Sequence, residues 1–126
     1  MKKKTFLVTG GTGFIGSNIC KLLLKKNYNV KIFDNNFRGS SSKIVNIKKK
    51  VKFIKGDVRN IKSLNKAMKQ TDAVIHLAYI NGTKYFYTKP VLTLDIAMKG
   101  IINVIDLCIK NRITELYLAS SSEVYQ

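Results

Sequence analysis

The sequence predicts a doubly wound parallel α/β sheet. Short, continuous apolar runs alternate with segments whose apolar residues repeat at helical spacing, and a glycine-rich turn joins the first run to the first helix. Such alternation requires right-handed crossovers, which place the strands side by side in one parallel sheet. We expect five strands in the order 3-2-1-4-5. The predicted strands are Phe6–Val8, Val30–Phe33, Val51–Ile54, Asp72–Ala78 and Glu115–Ala119.

The turn after the first strand carries glycines at Gly10, Gly13 and Gly16, and Gly11 adds a second, overlapping spacing. One glycine allows the tight turn, one lets backbone N–H groups approach a pyrophosphate, and one lets the helix pack closely on the strand. The order of strand, glycine turn and helix predicts a dinucleotide-binding site. The alternative is a flexible loop that only joins the two elements. The apolar face of the helix is predicted at Ile15, Ile19, Leu22 and Leu23.

An acidic residue, Asp34, ends the second apolar run, at about the distance expected for a carboxylate that binds the ribose hydroxyls. A carboxylate there accepts from a free 2′-hydroxyl and repels a 2′-phosphate, which favours NAD over NADP. Arg38 lies four residues further on and counts against this preference, because a nearby arginine can accommodate the phosphate.

Caps and spacing predict the remaining elements. The polar segment 35–46 is predicted to be a loop, Asn60 to cap a short helix, and Pro90 to begin the longest helix. Asn111 is predicted to end that helix. Its predicted buried face is Leu94, Met98, Ile101, Ile105, Cys108 and Ile109.

The formal charge of +16 invites a nucleic-acid interpretation. The positive residues are 20 lysines against 3 arginines, however, and they are spread along the chain. We therefore expect nucleic acid to be an unlikely main partner, although a lysine-lined groove would attract an anionic nucleotide.

A chain of 126 residues is long enough for one domain with a buried core. The apolar run after Met1 is too short for a secretory signal, so we expect a cytoplasmic protein with no membrane segment. Cys20 and Cys108 lie far apart on predicted apolar helix faces, which favours small buried hydrophobic residues over a disulfide or a metal pair. His76 is predicted to orient a strand end rather than to transfer protons, and no metal site is predicted.

Five blocks of the sequence stand in a characteristic order and spacing. They are Thr9–Gly16, Asp34–Asn35, Gly56–Arg59, His76–Ala78 and Ser120–Tyr125. Together they resemble the extended short-chain dehydrogenase/reductase family, in its NAD-dependent sugar-nucleotide epimerase/dehydratase branch. The blocks span nearly the whole chain, and the resemblance implies a Rossmann-type fold.

The resemblance also implies a role for each block. The first cradles the cofactor pyrophosphate through Gly10, Gly13, Phe14, Ile15 and Gly16. Asp34 and Asn35 hold the adenosine ribose, Asp57 and Val58 flank the adenine, and Leu77, Ala78 and Tyr79 line the central stretch of the cofactor. In the last block, Ser121 matches the family's catalytic Ser or Thr, and Glu123 matches the acidic residue of decarboxylase- and dehydratase-type members. A turn-capping Ser121 and a solvated Glu123 are the alternatives. With Arg38 included, the predicted cofactor-binding residues are Gly10, Gly13, Phe14, Ile15, Gly16, Asp34, Asn35, Arg38, Asp57, Val58, Leu77, Ala78 and Tyr79.

The sequence departs from the family pattern at several points. Ala97 stands where the family usually has Asn, and Gln126 where it usually has Gly. The family's proton-transferring Tyr-x-x-x-Lys pair follows the fifth strand, whereas the spacing in this sequence, Tyr85 to Lys89, precedes it. Pro90 disfavours helical dihedrals at Lys89, so we do not expect this pair to share one helical face.

These observations predict that residues 1–126 form the NAD-binding N-terminal part of a sugar-nucleotide epimerase, dehydratase or decarboxylase, truncated after the fifth strand. Family members act by transient hydride transfer between NAD and the sugar. The expected partners are a nucleotide sugar in the complete enzyme and, as one option, a second copy. Because the Tyr-x-x-x-Lys pair is missing after the fifth strand, we expect this chain alone to be inactive. The alternatives are a non-catalytic NAD-binding regulatory module and a basic nucleic-acid-binding protein.

Overall fold

The five strands of the described residues form one parallel sheet in the order β3-β2-β1-β4-β5, which confirms the predicted topology. The computed structural model describes residues 2–125, without the side chains of residues 122 and 123. β1 lies at the centre between β2 and β4, while β3 and β5 form the two edges. The strands are β1 Thr5–Thr9, β2 Asn29–Asp34, β3 Val51–Lys55, β4 Ala73–His76 and β5 Glu115–Leu118.

The helices are α1 Phe14–Lys25, α2 Ile61–Met68, α3 Thr83–Thr88 and α4 Pro90–Lys110. α2 and α4 begin, and α4 ends, where the caps predict, whereas α3 is not predicted from the sequence. Asn60 caps α2, because its side chain accepts a hydrogen bond from the backbone N–H of Ser63 at 3.0 Å. Pro90 occupies the first turn of α4, and Asn111 ends it. Among the described residues, no helix has both the length and the apolarity needed to cross a membrane. Two 3₁₀ helices cover Ser41–Lys50 and Ser122–Tyr125.

Helices cover both faces of the sheet and divide the core into two clusters. α1 and the first 3₁₀ helix pack on one face, and α2 and α4 pack on the other. The α1-side cluster is Val8, Cys20, Val30, Ile32, Ile44 and Ile47. The α4-side cluster includes Leu7, Phe33, Leu64, Val74, Val104 and Leu107.

The long helix α4 buries a different face from the predicted one. Its buried residues are Thr93, Ile96, Gly100, Val104, Leu107 and Cys108. From the predicted face only Cys108 is buried, whereas Leu94, Met98, Ile105 and Ile109 are exposed. α4 is apolar around most of its circumference, so spacing alone does not select a face. Gly100 decides it, because a Cβ there would lie 2.9 Å from the Val58 Cγ2, and a larger residue could not approach as closely.

The predicted loop over residues 35–46 is only partly correct, because a 3₁₀ helix begins at Ser41. Ser40 caps this helix, since its hydroxyl accepts from the backbone N–H of Ser42 at 3.3 Å. Ile44 and Ile47 are one 3₁₀ turn apart and both are buried. Their burial against α1 stabilises a helix that the polar composition of this segment does not predict.

Both cysteines are buried and unpaired, as the sequence predicts. Burial raises the pKa of the Cys20 thiol to about 12, which makes it an inert core residue. The predicted apolar face of α1 is half correct: Ile19 packs on the core with Leu23, whereas Ile15 and Leu22 are exposed.

Candidate functional site

A cavity opens at the carboxyl edge of the sheet, where β1 to β4 end. Ligands of open parallel sheets bind at this edge. The cavity encloses about 110 Å³, less than the roughly 300–1,000 Å³ of typical ligand pockets. It therefore has room for only part of a dinucleotide-sized molecule. The cavity is lined by Gly10, Gly13, Phe33, Asp34, Asn35, Phe37, Arg38, Gly39, Gly56, Asp57, Val58, Leu77, Ala78, Tyr79, Ile80 and Ile96.

Backbone rather than side chains forms the wall of this cavity at the glycine turn. Gly10 has a φ of 71°, a conformation that side chains rarely adopt, and a Cβ there would lie 2.9 Å from the Ala78 nitrogen. Its N–H donates to the Phe33 carbonyl oxygen at 3.0 Å and ties the turn to β2. A Cβ on Gly16 would collide with the Gly10 carbonyl, so α1 begins directly against the turn. A phosphate can approach such a backbone cradle closely.

Helix α1 points its N-terminus at the same edge. Gly13 is the N-cap, and the first turn contains no acidic residue. The N–H groups of this turn therefore stay available to an anion, and the helix dipole favours one. Phe14, Ile15 and Gly16 do not line the cavity, and the side chains of Phe14 and Ile15 are exposed. Their predicted role in cofactor binding depends on backbone N–H groups alone.

Asp34 is fixed at the end of β2 by two backbone donors. One carboxylate oxygen accepts from the Thr12 N–H at 3.0 Å, and the other accepts from the Asn36 N–H at 2.7 Å. The residue is buried, yet it lines the cavity. The carboxylate therefore joins the glycine turn to the loop after β2 and presents negative charge to a bound ligand.

Phe37 and Arg38, which line the cavity, form a cluster with Tyr85 and Lys89 that we call the aromatic clamp. The rings of Phe37 and Tyr85 lie 5.7 Å apart between centroids. The Arg38 Cζ lies 5.6 Å from the centre of the Tyr85 ring, and the Lys89 Nζ lies 6.0 Å from that of Phe37. The clamp joins the loop after β2 to helix α3, two segments that are distant in the sequence.

A charged bridge holds the loop after β3 against α4. Arg59 binds the Asp57 carboxylate through Nη2 at 2.7 Å and the Asp95 carboxylate through Nη1 at 2.9 Å. The hydrogen bonds from Arg59 hold the pKa of Asp57 below its usual range. The Asn103 amide donates to the Val58 carbonyl oxygen at 3.0 Å. Arg59 and Asn103 thereby position Asp57 and Val58 at the cavity.

Thr9 and His76 form a buried network beneath the cavity. The Thr9 hydroxyl oxygen accepts from the N–H groups of Leu77 at 3.1 Å and Ala78 at 3.2 Å, and it lies 2.7 Å from the His76 Nδ1. The Leu77 N–H is shared with the Thr9 carbonyl oxygen at 3.2 Å. With the hydroxyl oxygen accepting from these N–H groups, a neutral imidazole that accepts the hydroxyl proton at Nδ1 fits the arrangement. Burial lowers the pKa of His76 to about 4. This geometry supports an orienting role for His76.

The predicted catalytic residues follow β5. Ser121 is exposed and lies at the carboxyl edge of the sheet, but it does not line the cavity. Its carbonyl oxygen accepts from the Val124 N–H at 3.3 Å, at the start of the last 3₁₀ helix. The side chain of Glu123 lies outside the described residues. The catalytic roles of both residues stay predictions.

The Tyr-x-x-x-Lys spacing is divided between a helix and a linker. Tyr85 lies in α3, whereas Lys89 lies between α3 and α4 with φ −141° and ψ 53°. These angles are not helical, which confirms the expectation drawn from Pro90. The ammonium of Lys89 lies instead over the ring of Phe37.

All the predicted cofactor residues except Phe14, Ile15 and Gly16 line one cavity. Phe33 and Gly56 are not among the predicted cofactor-binding residues, although each directly precedes a predicted aspartate. Ile96 could not be found, because the buried face of α4 was predicted wrongly. The lining residues that the sequence analysis missed are Phe33, Phe37, Gly39, Gly56, Ile80 and Ile96.

A sequence model of the NAD dependent epimerase/dehydratase family matches residues 6–126. The chain is 32% identical over 123 residues to a UDP-N-acetyl-alpha-D-glucosaminuronate decarboxylase of Bacillus cytotoxicus. It is 38% identical over 117 residues to a putative UDP-glucose 4-epimerase of Methanocaldococcus jannaschii. These matches cover 98% and 91% of this chain but 38% and 37% of the two relatives, so the chain spans well under half of their length.

The fold is also similar to solved structures. The crystal structure of a UDP-glucose-4-epimerase from Stenotrophomonas maltophila, with bound NAD and formylated UDP-arabinopyranose, superposes with a TM-score of 0.90 at 26% identity. The superposition covers 97% of this chain and 38% of that one.

Proposed function

We propose that this chain, which belongs to the NAD dependent epimerase/dehydratase family, binds NAD as the cofactor part of an enzyme that modifies sugar nucleotides. The observation that carries the proposal is the cavity at the carboxyl edge, where the glycine turn, Asp34, Asp57 and residues 77–79 converge. When bound, NAD supplies a hydride acceptor for transient oxidation of a sugar hydroxyl. The decarboxylase and epimerase relatives support a UDP-sugar as the substrate of the complete enzyme.

The chemistry of the lining residues supports a dinucleotide. The first turn of α1 binds the pyrophosphate through its N–H groups, which no side chain caps, and Gly10 lets the ligand approach the backbone because it has no side chain. Asp34 accepts hydrogen bonds from the ribose hydroxyls, with Asn35 beside it. Asp57 and Val58 flank the adenine, and residues 77–79 line the path toward the nicotinamide.

Ser121 and Glu123 are proposed to act on the sugar, with Ser121 hydrogen bonded to the hydroxyl that is oxidised. An unassisted serine hydroxyl is a poor base at neutral pH, and general-base catalysis typically contributes about 10²–10⁴-fold. Tyr85 and Lys89 do not form the assisting pair, because α3 ends between them. We therefore expect the 126-residue chain to bind NAD without measurable turnover of UDP-sugars.

A homodimer remains a proposal, supported by the exposed apolar side chains of Leu94, Met98 and Ile109 on α4. Nucleic acid is not expected to be the main partner. Any DNA binding by this lysine-rich chain should be weak, independent of sequence and lost as salt is raised.

The cofactor proposal is tested by calorimetric titration of the chain with NAD and with NADP. We expect NAD to bind about 5- to 150-fold more tightly, since a 2′-phosphate beside the Asp34 carboxylate adds repulsion of roughly 1–3 kcal/mol. Asp34→Ala should reduce this preference and weaken NAD binding, because it removes both the ribose acceptor and the partner of the Thr12 and Asn36 N–H groups.

Asp106→Ala is the matched control, because it removes an exposed carboxylate of α4 that does not line the cavity. It should leave both affinities unchanged. Equal or tighter binding of NADP by the unmodified chain would contradict the NAD preference. Binding of neither dinucleotide would contradict the proposed function itself.

A further inference from the structure

Arg38 and Asp34 line one cavity with opposite charges, yet they do not pair. The Asp34 carboxylate is buried and held by two backbone N–H groups. Within the described part of the chain, none of the ion pairs includes Arg38. The guanidinium lies over the Tyr85 ring instead, with Cζ 5.6 Å from the ring centre. The position of the Arg38 guanidinium therefore determines whether its positive charge compensates the Asp34 carboxylate where a ligand binds.

The Tyr85 ring is a well-anchored support for that cation. It is half-buried and packs against the α4-side cluster, and the Phe37 ring lies 5.7 Å away between centroids. The Tyr85 carbonyl oxygen accepts from the Lys89 N–H at 2.9 Å and from the Thr93 hydroxyl at 3.4 Å. The backbone of Tyr85 is thus anchored, its ring packs on the core, and Arg38 lies over that ring.

We propose that Tyr85 is a positioning residue that determines dinucleotide specificity through Arg38. By holding the guanidinium on its ring, Tyr85 leaves the Asp34 carboxylate uncompensated, so the site rejects a 2′-phosphate. A released Arg38 would pair with Asp34 or with the phosphate and weaken this rejection. The inference rests on the proposed binding of NAD in this cavity, and it adds a residue from α3 that no cofactor-binding motif of the sequence contains.

The test is calorimetric titration of the full chain and of Tyr85→Leu with NAD and NADP. We expect the ratio of the NADP to the NAD dissociation constant to fall about 2- to 5-fold in Tyr85→Leu, the factor that an exposed cation–π contact corresponds to. Tyr85→Phe keeps the ring and should keep the ratio. In an Arg38→Leu background, Tyr85→Leu should leave the ratio unchanged, because there is no guanidinium to release.

The same series distinguishes positioning from simple structural damage. Loss of packing at Tyr85 would weaken NAD and NADP equally and in both backgrounds, which would overturn the inference. A ratio that rises in Tyr85→Leu would also overturn it, because the ring would then be presenting Arg38 to the phosphate. If Tyr85→Leu does not fold, Arg38→Leu alone decides. A ratio within about 2-fold of the original value supports the inference that Arg38 does not contact the 2′-phosphate. A larger loss of NADP binding contradicts it.

The outcomes separate this inference from the proposed function. A chain that binds neither dinucleotide contradicts both. A chain that binds NAD, with a ratio insensitive to Tyr85→Leu, contradicts the role of Tyr85 and leaves the proposed function intact.

Discussion

One row of side chains crosses the α1 face of the sheet, and its two ends have different surroundings. The strand registers place Phe53 of β3 at one end and Tyr117 of β5 at the other, with residues of the three inner strands between them. Phe53 is half-buried and packs on the α1-side cluster. Tyr117 is 53% exposed. The row is Phe53, Ile32, Val8, Ile75 and Tyr117.

The β3 edge is protected by the chain itself. The first 3₁₀ helix lies against it and buries Ile44 and Ile47. The exposed positions of β3 are Lys52 and Lys55, and charged side chains on an edge strand discourage pairing with another chain.

The β5 edge has no comparable cover among the described residues. Tyr117 and Leu118 are exposed, and Leu94 and Ile109 expose apolar surface along α4. The cavity is built mainly from the covered half of the sheet, whereas Ser121 follows the uncovered strand. The residues that line the cavity therefore lie mainly in the covered part of the sheet, and the exposed apolar side chains lie on β5 and α4.

Matched aromatic substitutions at the two ends of the row should differ most in their effect on the free energy of unfolding. Phe53→Ala should lower the free energy of unfolding by about 2–3 kcal/mol, because it leaves a space in a partly buried cluster. Tyr117→Ala should change it by no more than about 0.5 kcal/mol, because most of that ring is already in water. Urea denaturation measures both values. Equal losses would show that the β5 edge is packed as firmly as the β3 edge.

The pH dependence of stability tests the contact between Thr9 of β1 and His76 of β4, which joins the covered strands β1 to β3 to the strands β4 and β5. The folded pKa of His76, about 4, lies below the ordinary value of 6.5, so the unfolded chain binds a proton first as pH falls. Stability is therefore complete above pH 6.5 and declines toward pH 4. Between pH 6.5 and 5 the loss should be about 2 kcal/mol, at roughly 1.4 kcal/mol per pH unit.

His76→Asn provides the control for this prediction. His76 is the only histidine in the sequence, so the variant should show a nearly flat stability between pH 6.5 and 5. Urea denaturation at several pH values measures the slope. An unchanged slope in the variant would assign the titration to another group and contradict the buried neutral imidazole.

The smallest effect is expected at Arg59, which ties α4 to the loop after β3. Arg59→Ala should lower the urea midpoint at pH 7, because Asp57 and Asp95 lose a shared partner. The pKa of Asp57 lies below its usual range, so this contribution is present above about pH 4 and is lost as pH falls through the folded value. The gap between variant and unmodified chain should therefore narrow at low pH.

Lys99→Ala is the matched control, because it removes only the pair with Asp95 on the surface of α4. Its effect on the urea midpoint should be smaller than that of Arg59→Ala. A gap for Arg59→Ala that stays constant between pH 7 and pH 3 would contradict an ionic origin.

Local patterns in the sequence predict the strands, the starts of α2 and α4 and the end of α4, but not α3 or the 3₁₀ helix Ser41–Lys50. The apolar runs at Phe6–Val8 and Val30–Phe33 predict buried strands, since a strand covered on both faces needs continuous apolar residues. Asn60 and Pro90 predict helix starts, because each supplies a cap or a fixed φ within its own few residues. The glycine turn and Asp34 predict the cavity for the same reason, since their chemistry depends on near neighbours in the sequence.

Which surfaces meet depends on contacts between distant segments. The spacing of α4 allows more than one apolar face, and the approach of Val58 to Gly100 selects the face that contains Val104 and Leu107. Arg38 follows Asp34 by four residues in the sequence, but its place over Tyr85 depends on how α3 packs against the loop after β2. Local sequence determines the elements and their ends, because caps, turns and runs act over a few residues. The face that a helix buries and the side chains that it contacts depend on distant segments, and these meet only once the sheet has assembled.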